Sequence, residues 1–324
     1  MAPPELLSVL VPQFLGIIFN YLLFGVFIVQ LYLYVTYSGK DALPIKLLVY
    51  TIAGLDTLQT GFLTDLSYGI LVARWGDLEG LAHRPWTALT LLVVNGIVSA
   101  MIQIFFAWRI WILAGRSTRS YALGGFIVLL ALVQCLSAII SGARISTVSR
   151  TKSPIDTVVA IFPGCVVWLS GSLLCDIVIT ISMFLLLTRT RRQTSFRRTE
   201  TLLTKLITLS VETGLATTIV AALELALLVA HPLEEYHEAP AYALGKLYSN
   251  ALLATLNARH FRQDETDSMT LSSMMISSGS SGPGRRVVLS DGSESQTRPT
   301  ESKQSGVVVT TETWGDRPAT HVVA

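Results

Sequence analysis

The sequence predicts an all-α fold, a bundle of seven transmembrane helices, and three observations lead to it. Hydrophobic residues make up 51% of the 324 residues and charged residues 14%, whereas soluble domains carry about 25% charged residues. The apolar residues are concentrated in seven long stretches, each near the roughly 20 residues that a helix needs to cross a bilayer. Helix is favoured over strand because backbone polar groups in lipid must be hydrogen-bonded within the segment.

The seven stretches define a transmembrane domain over residues 10–260, which follows an extracellular segment at residues 1–9. The first residues lack the basic region of a signal peptide, so we expect the first stretch to stay in the membrane. The seventh stretch is the shortest. The approximate bounds are Leu10 to Tyr34, Leu43 to Leu71, Trp86 to Leu113, Tyr121 to Ile140, Ile161 to Leu187, Leu202 to Ala230 and Pro240 to Leu256.

The connections between the stretches differ in charge, and this difference predicts the orientation. Cytoplasmic loops carry an excess of Lys and Arg. That side has 13 basic residues against five on the other, which places the N-terminus outside and the C-terminus in the cytoplasm. We expect the plasma membrane rather than internal membranes. The 13 are Lys40, Lys46, Arg109, Arg116, Arg119, Arg189, Arg191, Arg192, Arg197, Arg198, Lys205, Arg259 and Arg262.

Residues 261–324 differ in composition from the rest and predict a disordered cytoplasmic tail. Ser and Thr account for 20 of these 64 residues, and such a segment cannot bury enough apolar surface to fold. We expect the tail and the 188–201 loop to contact a cytoplasmic protein partner. The residues predicted for this contact are Arg109, Arg191, Arg192, Arg197 and Arg198. A net charge of +2 gives no support for nucleic-acid binding.

Six charged residues lie towards the centres of the predicted helices, where charge is costly and usually faces the bundle interior: Asp56, Asp65, Asp176, Glu212, Glu224 and Lys246. Counting residues from the helix ends puts Lys246 at the depth of Asp65 and Glu224, in the outer half of the membrane. These three residues are the predicted ligand-binding set, among helices two, six and seven. The remaining acids lie deeper and, with one amide, form a predicted buried polar network: Asp56, Asp176, Glu212 and Asn250. These carboxyl groups either bridge helices or line a polar pocket or proton path.

The sequence lacks the short motifs that would indicate a catalytic site. The five histidines all fall in loops or the tail, so no intramembrane zinc site is expected. The sequence has no GxSxG, P-loop or HExxH pattern, each of which would indicate a reaction class. We therefore expect no enzyme, no catalytic residues, no bound metal and no cofactor.

Three stretches carry a resemblance to a known family: Phe105–Trp111 closing the third helix, Lys246–Arg259 in the seventh, and Asp56, Thr57 and Gln59 in the second. Over about residues 10–260 the chain resembles fungal seven-helix membrane proteins carrying domain of unknown function 6534. Ala251 stands where that family more often has Ser. The resemblance implies a multi-pass membrane protein with no assigned activity.

Three functions remain open at this point. The first is a receptor-like sensor that passes an outside signal to the cytoplasm, supported by the topology, the basic loop and the tail. The second is a transporter or proton-coupled permease, supported by the buried acids, although inverted repeats and broken helices are not visible. The third is a structural membrane protein in which the polar residues hold the bundle together.

Overall fold

The computed structural model describes residues 4–74, 86–115, 117–148, 154–193, 197–258, 285–287 and 311–313. The chain divides into two units, Met1–His260 and Phe261–Ala324, and each is described by itself.

The first unit contains seven α-helices within its described residues. A 3-10 turn at Ser38–Lys40 follows the first helix, and a π-helical segment at Gly69–Ala73 continues the second. The helices are α1 Pro4–Tyr37, α2 Leu43–Tyr68, α3 Trp86–Leu113, α4 Thr118–Val148, α5 Pro154–Gln193, α6 Arg197–Ala230 and α7 Glu238–Asn257.

All seven predicted stretches are helical, but most of the helices extend beyond the apolar residues that predicted them. The clearest case is the predicted 188–201 loop, because α5 runs to Gln193 and α6 begins at Arg197. Arg, Gln and Glu are good helix formers, and adding a residue to an existing helix costs little. The basic connection is therefore mostly helical.

Five of the described helices contain a segment long and apolar enough to cross a membrane. These segments are Leu7–Tyr37, Thr90–Leu113, Thr118–Ile145, Asp156–Arg191 and Thr208–Ala230. The more polar helices α2 and α7 are outside this set. Helix α7 is buried on nearly every side, so its polar residues do not need to contact lipid.

The core surrounds α7, while large apolar side chains cover the outside. The main cluster joins Phe27 of α1, Ile52 of α2, Ile102 of α3 and Leu252 of α7, all 1% exposed or less. On α4, by contrast, Leu129 is 60% exposed, and similar side chains follow on α1 and α5. Apolar surface of this extent indicates contact with lipid.

The second unit is described at two short strands. Arg285–Val287 pairs antiparallel with Thr311–Thr313, with Arg286 opposite Glu312. The prediction of a disordered tail otherwise falls on residues outside the described part of the chain.

The close approach of α1 to α7 gives a testable prediction at Gly16. A Cβ there would lie 2.5 Å from the Tyr242 ring and 3.2 Å from the Ala239 Cα, and the Tyr242 hydroxyl is held by Gln13 and Glu238. Gly16→Ala should therefore lower the free energy of unfolding by about 1–3 kcal/mol, measured by thermal unfolding in mild detergent.

Gly25 is the matched control on the same helix, because a Cβ there would meet nothing within 4 Å. Gly25→Ala should be neutral or stabilising by about 0.5–1 kcal/mol, since alanine favours helix. Equal effects of the two substitutions would contradict the close α1–α7 contact.

Candidate functional site around the last helix

The centre of the site is Lys246, whose side chain is fully buried at the middle of α7. Its Nζ donates to the Asp56 carboxylate at 3.1 Å, to the Asp56 backbone carbonyl at 2.9 Å and to Gln59 Oε1 at 3.0 Å. An ammonium has three donors, so all three are used. The Phe24 ring lies 5.4 Å from Nζ and adds a cation–π contact.

The observed partner of Lys246 is Asp56, whereas the sequence predicted Asp65 and Glu224 beside it, so the predicted ligand-binding set is corrected. Asp65 is exposed, and Glu224 is buried on α6, whereas the ion pair of Lys246 is with Asp56. The depth estimate failed because it assumed that all helices end at the same level, whereas the observed bond places Lys246 beside Asp56; in addition, α7 begins earlier than predicted, at Glu238. Lys246 therefore lies about 12 Å into a helix of about 30 Å, close to its middle.

A chain of amides extends this ion pair to α3. Gln59 Nε2 donates to Asn95 Oδ1 at 2.6 Å, and Asn95 Nδ2 donates to the Ala241 carbonyl at 3.4 Å. Gly245 permits this arrangement, because a Cβ there would lie 2.3 Å from Asn95 Oδ1. Helices α2, α3 and α7 are thus tied together at one level.

A second set of amides ties α1 to α7. Asn20 Nδ2 donates to the Tyr242 carbonyl at 3.0 Å, Gln30 Nε2 to Asn250 Oδ1 at 3.0 Å, and Asn257 Nδ2 to the Gln30 carbonyl at 2.8 Å. Each bond joins residues more than 200 positions apart in the chain. Asn250 therefore lies in a buried polar network, at the contact with α1.

A separate centre forms around Asp176 of α5. The Tyr248 hydroxyl donates to its Oδ2 at 2.6 Å and Gln103 Nε2 to its Oδ1 at 3.1 Å. Gln134 Nε2 donates to Gln103 Oε1, and the Ser172 and Tyr248 hydroxyls lie 2.9 Å apart. Through these bonds α3, α5 and α7 meet at this carboxylate and Gln134 joins α4 to it through Gln103, and all of these partners are neutral.

The two remaining acids, Glu212 and Glu224, differ in burial. Glu212 is exposed on α6, so its predicted place in the buried network is wrong. Glu224 is 1% exposed, and its Oε2 has no hydrogen-bond partner among the described residues. Its neighbours along α6 include Ala221 and Leu228, which belong to apolar clusters.

The predicted cytoplasmic contact residues are spread over the ends of three helices. Arg109 is half-buried near the end of α3, and Arg191 is exposed near the end of α5. The side chains of Arg192, Arg197 and Arg198 lie outside the described residues. A groove of ≈ 460 Å³ lies between the start of α4 and the end of α5, lined in part by Arg119 and Arg189.

Sequence reasoning missed four amides that carry much of the network: Gln59, Asn95, Gln103 and Gln134. It selected intramembrane residues mainly by charge, so Asn250 was the one amide placed in the predicted network, and Gln59 entered only through the family resemblance. Their signal was present, because amides in long apolar stretches usually hydrogen-bond across helices. Among the described residues no group of three or more His, Cys, Asp and Glu is arranged to hold a metal.

Long apolar helices around a polar central helix define an integral membrane protein with several membrane-spanning helices. Residues 172–261 match the model of a family of unknown function, DUF6534. The match confirms the resemblance for this part of the chain, which includes Asp176, Glu224 and Lys246, whereas Asp56 and the end of α3 lie outside it. No curated protein and no solved structure matches the chain.

The Lys246–Asp56 pair gives a second prediction, tested by a double-mutant cycle. Lys246→Met or Asp56→Asn alone should each lower the free energy of unfolding by about 3 kcal/mol, because each leaves an uncompensated buried charge. The double variant should recover at least half of the summed loss. Asp65→Asn, an exposed acid on the same helix, is the control and should change stability by less than about 0.5 kcal/mol.

A third prediction separates Asp56 from Glu224 as the partner of Lys246. Combining Glu224→Gln with Lys246→Met should give additive losses, within about 0.5 kcal/mol, because the two side chains share no bond. Thermal unfolding of the two single variants and the double variant measures this. A coupling above about 1 kcal/mol would restore Glu224 as a partner.

Proposed function

We propose that the protein is a receptor-like sensor in which the buried Lys246–Asp56 ion pair holds the resting arrangement of α7. Both side chains are fully buried. A buried ion pair is weak evidence for stability, because hydrophobic residues in its place are often as stable. Charged groups inside a membrane bundle are more often functional. This ion pair is the observation that carries the proposal.

The proposed topology is seven membrane crossings with the N-terminus outside, including the more polar α2 and α7. The burial of α7 supports this, because its polar face contacts other helices and needs no contact with lipid. For α2, Asp56 and Gln59 point to the same interior. The excess of Lys and Arg supports a cytoplasmic C-terminus, and we propose the plasma membrane as the location.

In this proposal α7 has two arrangements, and the Lys246–Asp56 ion pair stabilises the resting one. A signal on the outer side acts by destabilising that resting arrangement. A ligand shifts such an equilibrium only through a difference in its affinity for the two states. Loss of the Lys246–Asp56 bond would free α7 to rotate or slide against α2 and α3. The cytoplasmic ends of α3, α5 and α6 would then move, and a cytoplasmic protein would bind the changed surface near Arg109 and Arg191.

The interior supports a sensor better than a carrier of substrate. In the described part of the bundle, the cavity beside Asp176 has a volume of ≈ 30 Å³, room for about two waters. The Lys246 donors are all occupied by protein acceptors. A proton-coupled permease is the competing function, and we propose no catalytic role for these residues.

The proposal predicts that breaking the ion pair changes the arrangement at the cytoplasmic ends. Spin labels at Ile112 of α3 and Thr208 of α6, with Cys135→Ala and Cys165→Ala to prevent stray labelling, report this distance in nanodiscs. Asp56→Asn should add a second distance peak displaced by about 5 Å, the size of a one-turn shift between helices.

Asp65→Asn is the control and should leave a single peak at the wild-type distance. An unchanged distance in Asp56→Asn and Lys246→Met, with lower thermal stability, would contradict the sensor and indicate a structural pair. Proton flux into vesicles that is lost in Asp56→Asn, without a second peak, would favour the permease.

A further inference from the structure

The groove between the start of α4 and the end of α5 is separate from the buried network that the proposed sensor uses. Its volume is ≈ 460 Å³, within the range of about 300–1,000 Å³ that is typical of ligand pockets. Arg119 of α4 and Arg189 of α5 line this groove, and both side chains are exposed. Cationic side chains from two helices therefore share one groove.

The two arginines have no acid near them in the sequence that could neutralise their charge. Residues 80–155, which include α4, and residues 177–199, which include the end of α5, contain no Asp or Glu. Neither arginine forms an ion pair with another described residue. A guanidinium group presents a fork of donors that matches the oxygens of carboxylate and phosphate groups. The charge of this groove is therefore complementary to an anion from outside the chain.

Both arginines lie at the level of the lipid headgroups. Each is within two residues of the end of an apolar segment long enough to cross a membrane. Tyr121, which follows Arg119 on α4, is 58% exposed, and its ring centroid lies 5.4 Å from that of Trp111. Tyr and Trp are enriched at the interface between membrane and water. The anions closest to these arginines are therefore the phosphate groups of the bilayer.

Leucines line the part of the groove that lies one helical turn deeper in the membrane. Leu123 follows Arg119 by four residues on α4, and Leu185 precedes Arg189 by four residues on α5. Each leucine is thus on the same helix face as its arginine and about 6 Å deeper. Leu185 is 60% exposed, so the groove opens towards the acyl chains. A groove with a charged end and an apolar end matches a molecule built in the same way.

We propose that the groove binds one anionic phospholipid, with its phosphate group at Arg119 and Arg189. One acyl chain would lie along Leu123, Leu185 and Leu186, which also line the groove. Basic pockets between membrane helices bind such headgroups. An acidic protein segment would match the arginines but not the leucines at the depth of the hydrocarbon. The site does not involve the buried ion pair, so a failure of the sensor proposal would leave it unaffected.

Native mass spectrometry of the purified full chain in detergent measures the binding of single lipid molecules. Dioleoyl phosphatidylserine should bind about tenfold tighter than dioleoyl phosphatidylcholine, or more, because each arginine near an anionic headgroup contributes about fivefold. Arg119→Gln and Arg189→Gln should each reduce this preference about fivefold, and the double variant should abolish it. Glycerophosphoserine, which has the same headgroup without acyl chains, should not displace the lipid at an equal concentration.

Arg191→Gln is the matched control, because it removes an exposed charge near the same end of α5. Arg191 follows Arg189 by two residues, about 200° around the helix, and does not line the groove. This variant should keep the lipid preference within about twofold of wild type.

Three results would overturn the site. An equal loss of preference in Arg191→Gln would indicate general attraction of anionic lipid to a basic surface. Displacement of the lipid by glycerophosphoserine would assign the groove to a soluble phosphate ester. Equal binding of the two lipids by wild type would exclude recognition of the anionic headgroup and leave an acidic protein segment as the occupant to test.

Discussion

The structure depends on the burial of α7, because most polar side chains on that helix are buried and need hydrogen-bond partners away from water. Lys246 sets the strictest condition, since its ammonium has three hydrogen-bond donors and is shielded from water. These three donors are satisfied together only where the Asp56 carboxylate, the Asp56 backbone carbonyl and the Gln59 side-chain carbonyl converge. This requirement fixes both the height and the rotation of α2 relative to α7, more tightly than apolar packing would.

The spacing along α7 distributes its polar contacts around the bundle. Tyr248 follows Lys246 by two residues, about 200° around the helix, so it points to the opposite side and meets Asp176 of α5. Asn250 follows Lys246 by four residues and points near the same side, where it meets Gln30 of α1. One helix thus holds α1, α2 and α5 by hydrogen bonds, which explains why a polar helix of 20 residues can occupy the centre.

The helices themselves could be predicted from hydropathy, but the hydrogen-bond partners of their buried polar side chains could not. For α3 the predicted and observed bounds, Trp86 and Leu113, agree, because the apolar stretch and the helix end together. The partner of Lys246 was missed because counting residues from the helix ends assumes that all helices end at the same level. The earlier start of α7 at Glu238 shifts Lys246 by only about 3 Å, whereas Asp56 and Asp65 lie about 13.5 Å apart along α2. The relative height of α2 and α7 therefore decides the partner, and sequence does not give that height. The side of the helix on which an acid lies was easier to predict. Asp56 and Asp65 are nine residues apart, and this spacing alone places them on opposite sides of α2.

Three of the buried acids, Asp56, Asp176 and Glu224, differ in their counter-charge rather than in their burial, which sequence could not reveal. Asp56 has an ammonium, Asp176 has neutral donors, and Glu224 is buried with Oε2 unpartnered within the described chain. A buried carboxyl group without a cationic partner is costly, so Asp56 is the one of these three acids whose environment is best matched to a negative charge. A single lysine cannot serve three acids, so Lys246 determines which of them carries a paired charge at the centre of the bundle.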